Sequence, residues 1–243
     1  MSQDVVIALS LFTVGFLYAS VGHGGASGYL ATLSLFSMPV ASYKPWILLL
    51  NIAVAGSAFI QFSRAGNFKW KLTWPFLLTS IPCTFIGSKL KIEGDIYNIF
   101  LGLALIVPTV RLLGLSPAEK SHKREIFLPI ALLSGALIGF LSGMLSIGGG
   151  IFLSPILILF AWADTKEAAA VSSLFIVLDS LSGLLGHAAP IHFTESSAIW
   201  FLAAASGGFL GAYFGSRKFN HATIRYSLTA VLAIASIKLL FFM

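Results

Sequence analysis

Two glycine-rich stretches hold most of the groups with which this chain could do chemistry. The first, VGHGGASG, sets His23 between Gly22 and the pair Gly24 and Gly25 and places Ser27 two residues on. The second, SIGGG, runs from Ser146 through Gly148, Gly149 and Gly150. Each interrupts an apolar run that reads as helix, because glycine frees the backbone and removes packing surface. Lipid cannot satisfy the amides of a broken helix, so each break must be covered by protein or line a polar cavity. A short apolar run follows each break at once. A helix N-terminus carries roughly +0.5 charge and unpaired N–H groups, which suits an anion. Backbone amides at Gly25 to Ser27 and at Gly149 to Ile151 are therefore candidates for holding an oxyanion. No buried lysine or arginine is needed, and burying one in lipid is costly.

Other polar residues inside apolar runs extend the candidate site. Asp179, in LFIVLDSLSGLL, is the acid deep within a helix, where a charge costs at least ~2.5 kcal/mol. It is the first candidate for carrying a coupling proton, against the plainer role of a neutral acid bonded to a neighbouring helix. His23 could titrate near neutral pH or donate to substrate, or simply bond a carbonyl. Asn51 and Gln61 lie ten residues apart on one helix and so project ~80° apart. Asn51, nearer the helix centre, is the candidate ligand, and Gln61 is expected at the interface. Ser172 and Ser173 open the equivalent helix of the second half. Their hydroxyls can line a polar path or bond their own preceding turn.

The elements that position these residues are set by the solvent. With 57% hydrophobic and 10% charged residues in 243, the chain cannot coat a soluble globule. It reads as an all-α integral membrane protein, with helices over Val5–Ser20, Trp46–Phe62, Leu72–Gly87, Ile96–Val110, Ile126–Leu145, Ala168–Leu185, Ser197–Phe214 and Ile224–Met243. The pieces Ser27–Phe36 and Ile151–Phe160 are too short to span, since ten residues of helix rise only about 15 Å. The start, MSQDVV, has no basic region, so no signal peptide is expected. A single cysteine, Cys83, leaves no intrachain disulfide or cysteine-based metal site, and packing is its expected role. The net charge of +6 belongs to short loops and fits membrane topology rather than nucleic acid. Without a P-loop motif, ATP hydrolysis is not expected, and no cofactor is implied.

The chain also repeats itself. A shift of 124 lays GFLYASVGHGGASGYLATLSLF from Gly15 on GFLSGMLSIGGGIFLSPILILF from Gly139, and a shift of 128 lays FIGSKL on YFGSRK. Residues 1–114 and 126–243 are thus two repeats joined by a polar linker, residues 115–125, within the wider polar stretch 111–125. If each glycine break turns a hairpin that returns the chain to its starting side, the second half is inverted. Eleven lysines and arginines then lie on one side and four on the other; without the reversal the split is 7 to 8. The positive-inside rule prefers the inverted arrangement, with both termini outside the cytoplasm, in the cell (inner) membrane.

The doubled glycine motif, GHGGASGYL and then GMLSIGGGIFLSPIL, the run AAAVSSLFIVLDSLSGLLGH, and FGSRK before the last helix resemble the sulfite exporter TauE/SafE family of permeases. The resemblance covers essentially residues 5 to 240, and the second glycine motif is its most specific part. It implies a secondary transporter of small sulfur-containing anions, such as sulfite, thiosulfate or organosulfonates, with a proton as possible coupling ion. His23 and Ala26 depart from the plainer glycine-rich turn of the family, and an amide is commoner there near Asp179.

Two other readings are open. An anion channel or a membrane scaffold would share the composition. Gly25-Ala26-Ser27-Gly28 also matches the GxSG of rhomboid-type intramembrane serine proteases, with His187 as a conceivable base. The second half has Gly149-Gly150-Ile151-Phe152 there, so the repeat keeps glycine and not the nucleophile.

Overall fold

A computed structural model describes residues 3–36, 38, 40–90, 106, 110, 123–187, 194–220, 222–223, 226–227, 229–230, 233 and 237. The helices expected over 96–110 and 224–243, and most of the linker, lie outside the described residues. Eight helices are described: α1 (Gln3–Ser20), α2 (Ala26–Leu35), α3 (Val40–Arg64), α4 (Trp70–Ser88), α5 (Leu128–Leu145), α6 (Gly150–Leu159), α7 (Thr165–Gly186) and α8 (Glu195–Arg217). Five of them, α1, α3, α5, α7 and α8, are long and apolar enough to cross a membrane. The protein is a multi-pass helical membrane protein.

Most helices outrun the apolar cores read from sequence, for local reasons. At α7, Asp164 caps the N-terminus by accepting from the Lys166 and Glu167 amides, and Glu167 accepts in return from the Asp164 amide at 3.2 Å. This capping box carries the helix back to Thr165, three residues before the apolar core. Thr194 and Ser197 form a second box that starts α8 at Glu195. Gln61 lies near the C-terminal end of α3, three residues before Arg64, and is buried against neighbouring helices.

Where helices meet most closely, glycines line the contact. On α8 the buried side carries Gly207, Gly211 and Gly215, while Leu202 and Phe209 are exposed on the other. A Cβ at those glycines would strike the carbonyls of Phe12, Phe16 and Ser20 on α1. On α5, Gly135, Gly139 and Gly143 meet the carbonyls of Phe76, Ser80 and Thr84 on α4 in the same way. Without a hydrophobic driving force in lipid, such close backbone approach is what holds helices together.

These contacts fix directions. Residue numbers rise together along α1 with α8 and along α4 with α5, so both pairs are parallel. They also rise together from Trp46–Phe201 to Val54–Gly208, and from Ser80–Asp179 to Ser88–Gly186. Between α3 and α7 they run oppositely, through Leu48–Gly183, Asn51–Ser180 and Gly56–Val177. Hence α1, α3 and α8 point one way and α4, α5 and α7 the other. Arg64, Lys69, Lys71, Lys123, Arg124, Lys166, Arg217 and Lys218 gather at one end, and Lys44 and Lys89 at the opposite end. The sequence offset of 124 carries Ala26–Leu35 onto Gly150–Leu159.

The basic end is laced to the start of α7. Lys123 Nζ lies 2.9 Å from Asp164 and 2.6 Å from Glu167, and the Arg124 amide donates to the Ala161 carbonyl at 2.8 Å. Burial works against the Lys123 charge, but its bonds to Glu167 and Asp164 outweigh that and hold the ammonium above its ordinary range. Asp164 supports both the cap and the ion pair, so Asp164→Ala is expected to cost about 1–2 kcal/mol. Thermal unfolding in detergent measures it; an unchanged midpoint would mean that the loop contributes nothing to the fold's stability.

Candidate functional site

The two glycine breaks, far apart in sequence, meet around Asn51 and Ile176. A Cβ at Gly24 would overlap Asn51 Oδ1 and come within 3.2 Å of Ile176. One at Gly148 would lie 2.8 Å from Asn51 Nδ2, 2.8 Å from Ser180 Oγ and 2.9 Å from Ile176. Gly22, Gly25, Gly148 and Gly149 hold φ between 70° and 96°, which glycine alone adopts without strain, and this turns the chain sharply at each break.

Asn51 ties the breaks together. It is fully buried; its Oδ1 accepts from the Ala26 amide at the start of α2 at 3.1 Å. Its Nδ2 donates to the Ile147 carbonyl at 3.3 Å and to Ser180 Oγ at 3.4 Å. One α2 amide expected to be free for substrate therefore already has a partner. The N-terminus of α6 differs: Gly149 is its N-cap and no side chain caps it. The Gly150 amide donates to the Gly148 carbonyl at 2.9 Å, while those of Gly149 and Ile151 have no partner among the described residues.

A second polar chain crosses from the first break into the second half. His23 Nε2 lies 3.0 Å from Ser154 Oγ on α6, and Ser154 donates to Ser172 on α7 at 2.7 Å. All three are buried. The ring contacts the Gly150 backbone, and its Nδ1 makes no hydrogen bond. Near Gly149, the hydroxyl of Ser142 is also buried without a partner, and so is that of Tyr29 beside Gly25. Such orphaned polar atoms are uncommon in a packed interior and mark where a ligand or water would bond.

The remaining candidates scatter. Ser27 Oγ pairs with Tyr18 OH at 2.9 Å. Ser173 bonds its own helix, at the Ala170 carbonyl, and stands apart from the Ser154–Ser172 pair. Ser146, left-handed at φ 56°, ends α5 and contacts His187 Nε2 at 3.0 Å. Burial first, and the nearby Lys44 charge second, hold His187 below the usual histidine range. His187 is thus engaged with Ser146, and Ser27 with Tyr18, rather than with each other as the protease reading requires. Asp179 is fully buried and accepts from Ser80 on α4 at 2.8 Å. Its Oδ1 is therefore held between α4 and α7, its Oδ2 is buried without a partner, and its neighbour Ser180 joins Asn51. Ser180, Ser154, Ser142 and Tyr29 escape a reading by motif, because each becomes polar lining only through helices distant in sequence.

The Sulfite exporter TauE/SafE family description matches residues 7–239 of the chain. A probable membrane transporter protein of Sinorhizobium fredii, y4hK, is 30% identical across 98% of this chain and 99% of its own length. A probable membrane transporter protein of Methanocaldococcus jannaschii is 29% identical over 72% of this chain and 69% of its own. YunE of Bacillus subtilis, another probable membrane transporter protein, is 24% identical over 98% of this chain and 96% of its own. No solved structure matches the chain. Buried glycine breaks in a bundle of apolar helices, together with a family match over nearly the whole length, give one conclusion: the chain belongs to the sulfite exporter TauE/SafE family of membrane proteins.

Proposed function

We propose that this protein is a secondary transporter of small anions, sulfur oxyanions or organosulfonates such as sulfite, built from two inverted repeats. The observation that carries the reading is the convergence of both glycine breaks on Asn51 and Ile176 inside the bundle. Discontinuous helices that meet between inverted repeats form substrate sites in many transporters, their N-termini directed at anionic groups. Inversion is supported by the opposed directions of α3 and α7, which occupy equivalent places in the two halves. The gathering of basic residues at one end supports a reading with that end in the cytoplasm and both termini outside. Rocking of one repeat against the other would then expose the site to each side in turn.

Flux of sulfite and of methanesulfonate into proteoliposomes, with and without an imposed ion gradient, tests the reading. Saturable flux that responds to a gradient is expected. Flux that follows only the anion's own gradient without saturation would favour a channel, and none would favour a scaffold. Orientation has a separate check, in which single cysteines at Lys69 and Arg217 should label from the same, cytoplasmic, side. Labelling from opposite sides would remove the inverted arrangement.

A further inference from the structure

His23 belongs to the first break but faces the helix terminus of the second. Its Nε2 lies 3.0 Å from Ser154 Oγ, and Ser154 gives its hydrogen to Ser172 at 2.7 Å. A serine hydroxyl has one hydrogen to donate, so Ser154 can only accept from the ring, and Nε2 carries the proton. In the neutral imidazole Nδ1 is then a bare lone pair. That atom is buried and unpartnered, and the Gly150 backbone lies against the ring. The ring stands at the first turn of a ten-residue helix that no side chain caps, with the orphaned Ser142 hydroxyl on the Gly149 side.

A helix terminus that attracts an anion and a lone pair that repels one are in conflict. We propose that this site, resting on the anion-transport reading above, binds a singly charged oxyanion together with one proton, which His23 takes up on Nδ1. The new Nδ1–H bond forms with a proton drawn from water on the open side, and no bond of the anion breaks. Imidazolium and anion enter as a pair, so the buried site gains no net charge. An anion alone would have to be desolvated without a counter-charge. The site lies at α6 and not at α2, because the α2 terminus already faces the Asn51 carbonyl.

Among the described residues, few other titratable groups lie on the helices around this histidine. From α7, Glu167 is paired with Lys123, while Asp179 accepts from Ser80 through Oδ1 and leaves Oδ2 unpartnered, which makes it the rival the test must separate. From α1 and α2 the titratable groups are the phenols of Tyr18 and Tyr29, and α3 contributes the neutral Asn51.

The test uses the purified full chain in detergent and methanesulfonate, an anion that stays deprotonated through the histidine range, so that any pH dependence belongs to the protein. Calorimetric affinity is expected to fall about tenfold per pH unit above the histidine transition, with about one proton taken up per anion in weak buffer. His23→Asn sets an amide N–H near the place of Nδ1 and should bind with little pH dependence and no proton uptake. His23→Gln keeps a partner for Ser154 but loses the Nδ1 group, and should bind weakly at every pH; gel filtration checks that both variants are folded. A pH-independent wild type that still binds and transports would overturn the proton inference and leave the transport reading standing. So would a flat profile in Asp179→Asn with the slope retained in His23→Asn, which would move the proton to Asp179. Neither binding nor flux of any anion would overturn both.

Discussion

Gly148→Ala is expected to abolish anion flux while the protein remains folded in the membrane. The added methyl has no room: it would lie within 2.9 Å of Asn51, Ser180 and Ile176, three side chains held by other contacts. The backbone there, at φ 75°, is also left-handed, which costs an alanine about 1–2 kcal/mol. Gly24→Ala reaches Asn51 from the opposite break and should act alike, although its backbone is unstrained. Gly66 separates the two effects. It holds φ 81°, yet a Cβ there meets nothing within 4 Å, so Gly66→Ala carries strain without a clash and should transport nearly normally. The measurement is flux per reconstituted molecule for all three. Near-normal flux in Gly148→Ala, or equal loss in Gly66→Ala, would show that the meeting point of the breaks is not the transport site.

Asn51→Leu should cost both stability and flux, for a different reason. Leucine keeps asparagine's branching and heavy-atom count, though its methyls are bulkier, and three hydrogen bonds are lost at once. The Ala26 amide and the Ile147 carbonyl would be left buried and unpartnered, each at about 1–3 kcal/mol. Together that is a large share of the ~5–15 kcal/mol typical of a folded protein. A fall in thermal midpoint, with flux reduced at least tenfold, is expected. Ser180→Ala removes only the longest of the three contacts and should lower the midpoint by a fraction as much. If Asn51→Leu unfolds at the wild-type temperature and transports normally, the two breaks are not joined through this side chain.

Helix existence was legible because it depends on local composition. Each apolar run had to form helix in lipid, where unpaired amides have no other partner. The glycine breaks were legible for the same reason, and helices α2 and α6 occupy the short runs marked off after them. Asn51 stood out as an amide in an apolar run, and it does lie where the breaks meet. Helix starts were less legible where an exposed cap decides them, as Asp164 does for α7, since a hydropathy pattern stops at the last apolar residue.

Asp179 marks the limit of that kind of reading. Sequence alone singles it out as a buried acid, but only the pairing of α7 with α4 gives it Ser80 as a partner. Ser172 and Ser173 are adjacent and chemically equal, yet one bonds Ser154 and the other its own helix, because successive residues project about 100° apart. By itself, then, the sequence determined the solvent, the described helices and the two breaks, all of which follow from composition and spacing along the chain. Tertiary structure decided which polar atoms face each other. That depends on helix rotation and direction, set by glycines on α5 and α8 against carbonyls on α4 and α1, contacts that exist only once distant segments have packed.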